Sequence, residues 1–180
     1  PLYLPEDHPD VVNAKFDKRI DKMIWGIGQY SATFNKGDLF APDKYLTDYY
    51  TDEALKVIEN NKNRPFFLYL SHWAIHNPLQ ALRSDVEQMS HMEGHNLQVY
   101  SGMIAALDRS VGEVVQKLKD LDIHGKTLII FTSDNGGANY IELDDINKPY
   151  RGWKISFFEC RIRVQYIVSW TDEINPGTNS

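Results

Sequence analysis

An α/β fold, a mostly parallel sheet covered by helices, is what the chain predicts. Three features carry that reading: a continuous apolar run at residues 66–70, a second at 127–131, and between them a long stretch whose apolar residues recur at three- and four-residue steps. Unbroken apolar runs of this length suit strands buried on both faces, as in parallel sheets. The order strand, helix, strand then calls for a parallel crossover.

Residues 1–40 mix Pro, Gly, charge and scattered aromatics (Trp25, Tyr30, Phe34) with no sustained period, so they read as mostly irregular. The aromatics suit stacking on a sugar or local packing under a loop, the second being the commoner use. At Thr51 the pattern changes: a Thr cap, Asp52 and Glu53 in a first turn, then Ala54, Leu55, Val57 and Ile58 on one side predict a helix ending near Asn60. Residues 61–64 form a polar turn, and Pro65 opens the run Phe66-Phe67-Leu68-Tyr69-Leu70, a central strand. Tyr100, Met103, Ile104, Leu107, Val111, Val114, Val115, Leu118 and Leu121 make one wide apolar stripe of a helix that His124-Gly125 ends. Lys126 to Thr132 supplies the second buried strand. Further strands are expected at 154–158 and 163–170, a pair that a hairpin would also accommodate.

A chain of 180 residues that is 42% hydrophobic can bury one substantial core. Its net charge of -6 argues against a nucleic-acid surface, which shows as a basic excess, so an anionic ligand needs a local cationic pocket. The apolar runs fall well short of the ~20 residues that span a bilayer. Cys160 is the single cysteine, so no internal disulfide framework is possible, and no Asn-x-Ser/Thr sequon occurs. The chain begins at Pro1 with no leader-like stretch, and the native start is expected upstream.

Ligands of open parallel sheets bind beyond the carboxyl ends of the strands. After the first run stands Ser71-His72-Trp73-Ala74-Ile75-His76-Asn77-Pro78, and after the second Ser133-Asp134-Asn135-Gly136-Gly137. Asp134 and Asn135 offer a carboxylate and an amide oxygen, hard donors suited to Ca²⁺ or Mg²⁺. Two donors do not hold such an ion alone, and by themselves these residues read first as a strand-end turn. His76 can donate to an anion or move a proton, or serve as a packing histidine; His72 is the weaker candidate. Lys154, inside Tyr150-Arg151-Gly152-Trp153-Lys154, is a desolvated anion ligand or a snorkelling surface lysine, and alone reads as the latter.

The phrases in combination say more. Pro65-Phe66-Phe67-Leu68-Tyr69-Leu70 leading to His76-Asn77-Pro78-Leu79-Gln80, then 100–123, then Thr132-Ser133-Asp134-Asn135-Gly136-Gly137, then Arg151-Gly152-Trp153-Lys154 resemble, in order, the sulfatase family of the alkaline-phosphatase-like superfamily. The resemblance covers about residues 45–170, so that 1–180 is expected to be part of a catalytic domain, with 1–40 a variable region. It implies sulfate ester hydrolysis. By it, Asp134 and Asn135 match metal ligands (Ca²⁺, with Mg²⁺ as the alternative), His76 matches the sulfate-binding histidine and Lys154 the second active-site lysine, both catalytic. It implies further a sulfated small molecule or carbohydrate as substrate, no nucleic acid partner, and a secreted, periplasmic or lysosomal setting.

Sulfatases of this type carry a formylglycine made within a Cys/Ser-x-Pro/Ala-x-Arg motif, which this chain lacks, so the nucleophile is expected in an N-terminal part outside it. Where the family reads Glu-Gly-Gly-x-Arg-Val-Pro, the chain has Glu159-Cys160-Arg161-Ile162-Arg163-Val164-Gln165. Side chains in place of glycines would be strained if the backbone there is left-handed or closely approached. Two other functions stay open: a phosphoester hydrolase of the same superfamily, and a non-catalytic anion- or glycan-binding homologue.

Overall fold

The computed structural model describes residues 2–143 and 146–177, which divide into two compact units, one up to Val114 and one from Val115, the division falling within the longest helix. The first unit contains β1 (Val11–Ala14), α1 (Arg19–Ile27), α2 (Leu46–Asn61), β2 (Leu79–Leu82), α3 (Arg83–Gln88) and most of α4 (His95–Asp120).

Residues 1–40 are thus more regular than their composition predicts. β1 pairs antiparallel with β2, Val11 opposite Leu82 and Ala14 opposite Leu79, and Ala32 bridges Phe40. A four-residue strand whose partner is far off in sequence leaves no local period to detect. Trp25 lies under the Lys15 ammonium, 4.8 Å from its ring centroid, and the Tyr30 hydroxyl is held by the carbonyls of Pro42 and Lys44. Both aromatics therefore serve local packing.

α2 begins at Leu46 and not at Thr51. Leu46, Thr47, Thr51, Ala54 and Ile58 are all buried, one face continued a full turn earlier than the acidic pair suggests. Thr51 is no cap: its hydroxyl donates to the carbonyl of Thr47 at 2.8 Å, the bond a mid-helix threonine makes to the preceding turn. α4 buries Val99, Met103, Ala106 and Ser110, and a Cβ placed on Gly102 would stand 3.2 Å from both Ala81 of β2 and Val86 of α3, so a glycine sets this close approach. Arg109 of α4 binds Asp85 of α3 through two bonds of 2.7 and 3.1 Å and reaches Asp48 of α2 at 3.3 Å. Asp85 hydrogen-bonding holds the guanidinium's protonation well above its usual range, while burial pushes the Asp48 carboxyl up despite Arg109 beside it.

The predicted central strand at 66–70 is extended but pairs with no strand among the described residues. Phe67 is 92% and Tyr69 79% exposed, while Phe66, Leu68 and Leu70 are half-buried. Only one face is covered, so the run stands as an extended segment over the unit.

In the second unit, β3 (Ile129–Thr132) pairs with β4 (Tyr166–Ser169), and the pairing is antiparallel, Ile129 opposite Ser169 and Thr132 opposite Tyr166. The expected parallel crossover is therefore not formed among the described residues, because its first strand is not a ladder member. Residues 154–158 are not a strand either: the Ser156 hydroxyl binds the N–H and carbonyl of Trp153 at 2.9 and 2.7 Å, closing a tight turn. A short helix, α5 (Glu159–Ile162), follows. Ile130 and Phe131 on β3, Leu128 just before it, and Tyr166, Ile167 and Val168 on β4 remain exposed.

Thr51, Ser110 and His72 form a buried polar chain, with Ser110 Oγ 2.5 Å from Thr51 Oγ1 and 2.9 Å from His72 Nε2. Each hydroxyl has one hydrogen, and Thr51 spends its own on Thr47, so Ser110 donates to Thr51 and His72 donates from Nε2. His72 Nδ1 is buried with no partner, so a second proton there would be unsatisfied, and burial lowers the His72 pKa. The unfolded chain then takes up that proton first. Stability is expected to be full above pH ~6.5 and to decline as pH falls below it. Urea unfolding between pH 7.5 and 5 should show the decline, and His72→Gln should flatten it.

Candidate functional site

His76 lies in the loop that enters β2. Its N–H donates to Trp73 O at 3.1 Å, its ring sits 5.1 Å from the Trp73 ring, and its Nδ1 is 2.7 Å from Asn77 O. A carbonyl only accepts, so Nδ1 carries the hydrogen and Nε2 is the unprotonated nitrogen of the neutral ring. The loop is held from a distant part of the chain. The buried Tyr3 hydroxyl reaches the carbonyls of Trp73 and His76, each at 2.9 Å, and its ring stacks on Tyr45 at 5.2 Å. Tyr3 is in turn anchored by Gln80, whose fully buried Oε1 accepts the N–H groups of Tyr3 and Leu4, both at 2.8 Å. Sequence reasoning missed Tyr3 and read Gln80 only as part of a motif. A lone tyrosine in an aperiodic segment carries no local sign of so distant a contact.

Asp134, Asn135 and Lys154 fall in the second unit, His76 in the first, and each unit stands here on its own. The Asp-Asn-Gly-Gly loop follows β3 directly. Ser133 Oγ donates to Asn135 O at 2.9 Å, leaving Asp134 exposed and Asn135 half-buried. Gly136 backs onto Cys160: a Cβ there would overlap the Cys160 carbonyl and come within 2.6 Å of its Sγ. Lys154 is joined to this loop, its N–H donating to Gly137 O at 3.2 Å. Its ammonium lies 5.4 Å from the centroid of Tyr140, a ring met edge-on by Trp153 at 6.2 Å. Asn147, which no motif marked, bonds both loops through its carboxamide.

The Sulfatase family model matches residues 8–180. The chain belongs to the sulfatase family. Among sulfatases, it is 28% identical to the N-acetylgalactosamine-6-O-sulfatase of Bacteroides thetaiotaomicron over 96% of this chain and 35% of that protein. It is 35% identical to the N-acetylgalactosamine-6-sulfatase of Sus scrofa over 73% of this chain and 25% of that protein. The solved structure of Ps i-CgsB in complex with k-i-k-neocarrahexaose superposes with a TM-score of 0.70 at 35% identity, over 76% of this chain and 30% of that one. The chain spans about a third or less of the sulfatases it matches.

The donor chemistry of the Asp134-Asn135 pair fits a hard divalent cation as part of a site: one exposed carboxylate and one amide on a loop fastened at both ends. Among the described residues no group of three or more His, Cys, Asp or Glu could hold a metal ion. The departures at Cys160 and Arg161 bring no left-handed backbone, since both lie in α5 and neither has positive φ. Cys160 is buried and desolvation pushes its thiol pKa up, the opposite of what a nucleophile needs. Gly136→Ala should cost about 1–3 kcal/mol by forcing Cys160 and the Asp134-Asn135 loop apart, as overpacked sites do. Urea unfolding of the purified variant, beside Gly112→Ala, where nothing lies within 4 Å, would measure it.

Proposed function

We propose that this chain supplies part of the active site of a sulfatase that hydrolyses a sulfate monoester. The observation that carries the reading is the bond from Lys154 N–H to Gly137 O, which seats the candidate sulfate-binding lysine against the loop of the candidate metal ligands. In this reading Asp134 and Asn135 would hold Ca²⁺ or Mg²⁺, which when bound would supply Lewis-acid charge at a sulfate oxygen. Lys154 donates to the sulfate oxygens as negative charge moves towards the leaving oxygen. His76, as imidazolium, donates from Nε2 while Asn77 O holds Nδ1, and oxyanion binding ranks ahead of proton transfer for it. The nucleophile, a formylglycine by family resemblance, would lie outside residues 1–180.

The same reading accounts for the uncovered apolar surfaces. In the complete domain, segments 66–70 and β3 would join a mostly parallel sheet, and the parts of the sulfatase beyond this chain would cover Phe67, Tyr69, Ile130 and Ile167. A sulfated carbohydrate is the preferred substrate class, supported by the two N-acetylgalactosamine-6-sulfatase relatives and by the carbohydrate complex of Ps i-CgsB. No helix among the described residues is long and apolar enough to cross a membrane, and the setting proposed from family resemblance is secreted, periplasmic or lysosomal.

In the complete enzyme, Lys154→Ala and His76→Ala should each lower kcat by ~10²-fold or more, the usual loss when one charge-stabilising group is removed. His72→Ala should do far less, since its ring is tied to Ser110. Near wild-type turnover by the Lys154 variant would overturn the assignment.

The 180-residue chain by itself should release neither sulfate nor phosphate from aryl esters with any divalent ion, having no activated nucleophile, and its Ca²⁺ affinity should be millimolar or weaker. Calorimetry and a sulfate-release assay check both. Turnover that disappears in Lys154→Ala would place the nucleophile inside these residues.

A further inference from the structure

Two loops that belong to neither helix nor ladder meet at Gly137. Its N–H donates to Asn147 Oδ1 at 2.8 Å, and its carbonyl accepts from Asn147 Nδ2 at 3.0 Å and from Lys154 N–H at 3.2 Å. The same Nδ2 group donates to Gly152 O at 3.3 Å. An N–H can only donate and a carbonyl only accept, so these partners fix which end of the carboxamide is oxygen. Gly137 is two residues beyond Asn135, and Gly152 two residues before Lys154. Gly137 leaves room for the clasp, since a Cβ there would press on Asn147 Oδ1 at 3.0 Å, and Gly152, at φ +96°, turns the second loop closely against Phe158, where a Cβ would come to 2.7 Å from Phe158 Cβ.

We propose that Asn147 is a positioning residue for the sulfatase reaction: its carboxamide locks the loop of Asp134 and Asn135 to the loop of Lys154, so that cation ligands and sulfate-binding ammonium hold one spacing. The inference rests on the site reading above and adds to it the part that sets its geometry. No other side chain does the same. Aspartate would set an oxygen against two carbonyl oxygens, glutamine is longer by a methylene, and alanine leaves the Gly137 N–H without its acceptor.

The first measurement needs no variant. In the 180-residue chain, amide hydrogen exchange should find Gly137 and Lys154 protected, and Asn147→Asp should speed exchange at both without changing the β3 amides. Unprotected Gly137 in the wild-type chain would overturn the proposal. In the complete enzyme at saturating Ca²⁺, Asn147→Asp and Asn147→Ala should lower kcat ~10- to 100-fold with a smaller change in KM, the pattern of displaced reacting groups. The Ca²⁺ concentration for half-maximal activity should rise as well. A fall in melting temperature with kcat per folded molecule unchanged would make Asn147 mere scaffolding and overturn the proposal. Lys154→Ala is the control: if it loses activity while the Asn147 variants keep theirs, only this inference falls, and if it too keeps activity, the site reading falls with it.

Discussion

Main-chain groups in a loop need hydrogen-bond partners as much as those in a helix do, and in this protein the loops that carry the candidate site residues find them in side chains, directly in Asn147 and, through Tyr3, in a segment that Gln80 anchors. Gln80, fully buried, accepts two N–H groups of the N-terminal segment and passes its Nε2 to Asn13, and so seats Tyr3, whose hydroxyl holds the His76 loop. Asn147 does the corresponding work for the loops of Asp134, Asn135 and Lys154. Each carboxamide offers donor and acceptor within one rigid plane, which lets it replace a piece of ladder where no strand can run. In each unit the candidate residues depend on such a clasp, since side chains are only as well placed as the backbone beneath them.

The two units differ in how completely they bury themselves. Below Val114, α2, α3 and α4 enclose Tyr45, Leu46, Ile58, Leu79, Val99 and Met103, and their buried polar groups are joined by Arg109 and by the Thr51, Ser110 and His72 chain. From Val115 on, the β3–β4 pair leaves apolar residues of both strands exposed. A two-stranded ribbon has too little surface to shield its own faces.

The candidate site residues were legible as candidates because they sit in phrases of fixed order. The run before Asp134 identifies a strand-end loop, since the loop after Thr132 follows β3 directly, whereas the run before His76 is extended but joins no ladder among the described residues. The long helix was legible from period alone, α4 covering the predicted stripe from Tyr100 to Leu118 and five residues before it. Its partners were not. Thr51 looks like a cap because Asp52 and Glu53 follow it, yet burial of Leu46 and Thr47 carries α2 a turn further back. The run 66–70 looks like a strand buried on both faces, but composition records only what a segment can tolerate on each side, not whether neighbours are there to cover it.

The sequence by itself determined the family, the order of the motifs, the long amphipathic helix, and the identities of His76, Asp134, Asn135 and Lys154 as candidates. Tertiary structure alone decided the antiparallel pairing of β3 with β4, the turn at Ser156 in place of a strand, and the contacts of Tyr3, Gln80 and Asn147. The physical reason is range. Periodicity and motif spacing are properties of neighbouring residues, whereas strand pairing and the satisfaction of a loop's backbone depend on groups that only the folded chain brings within about 3 Å of one another.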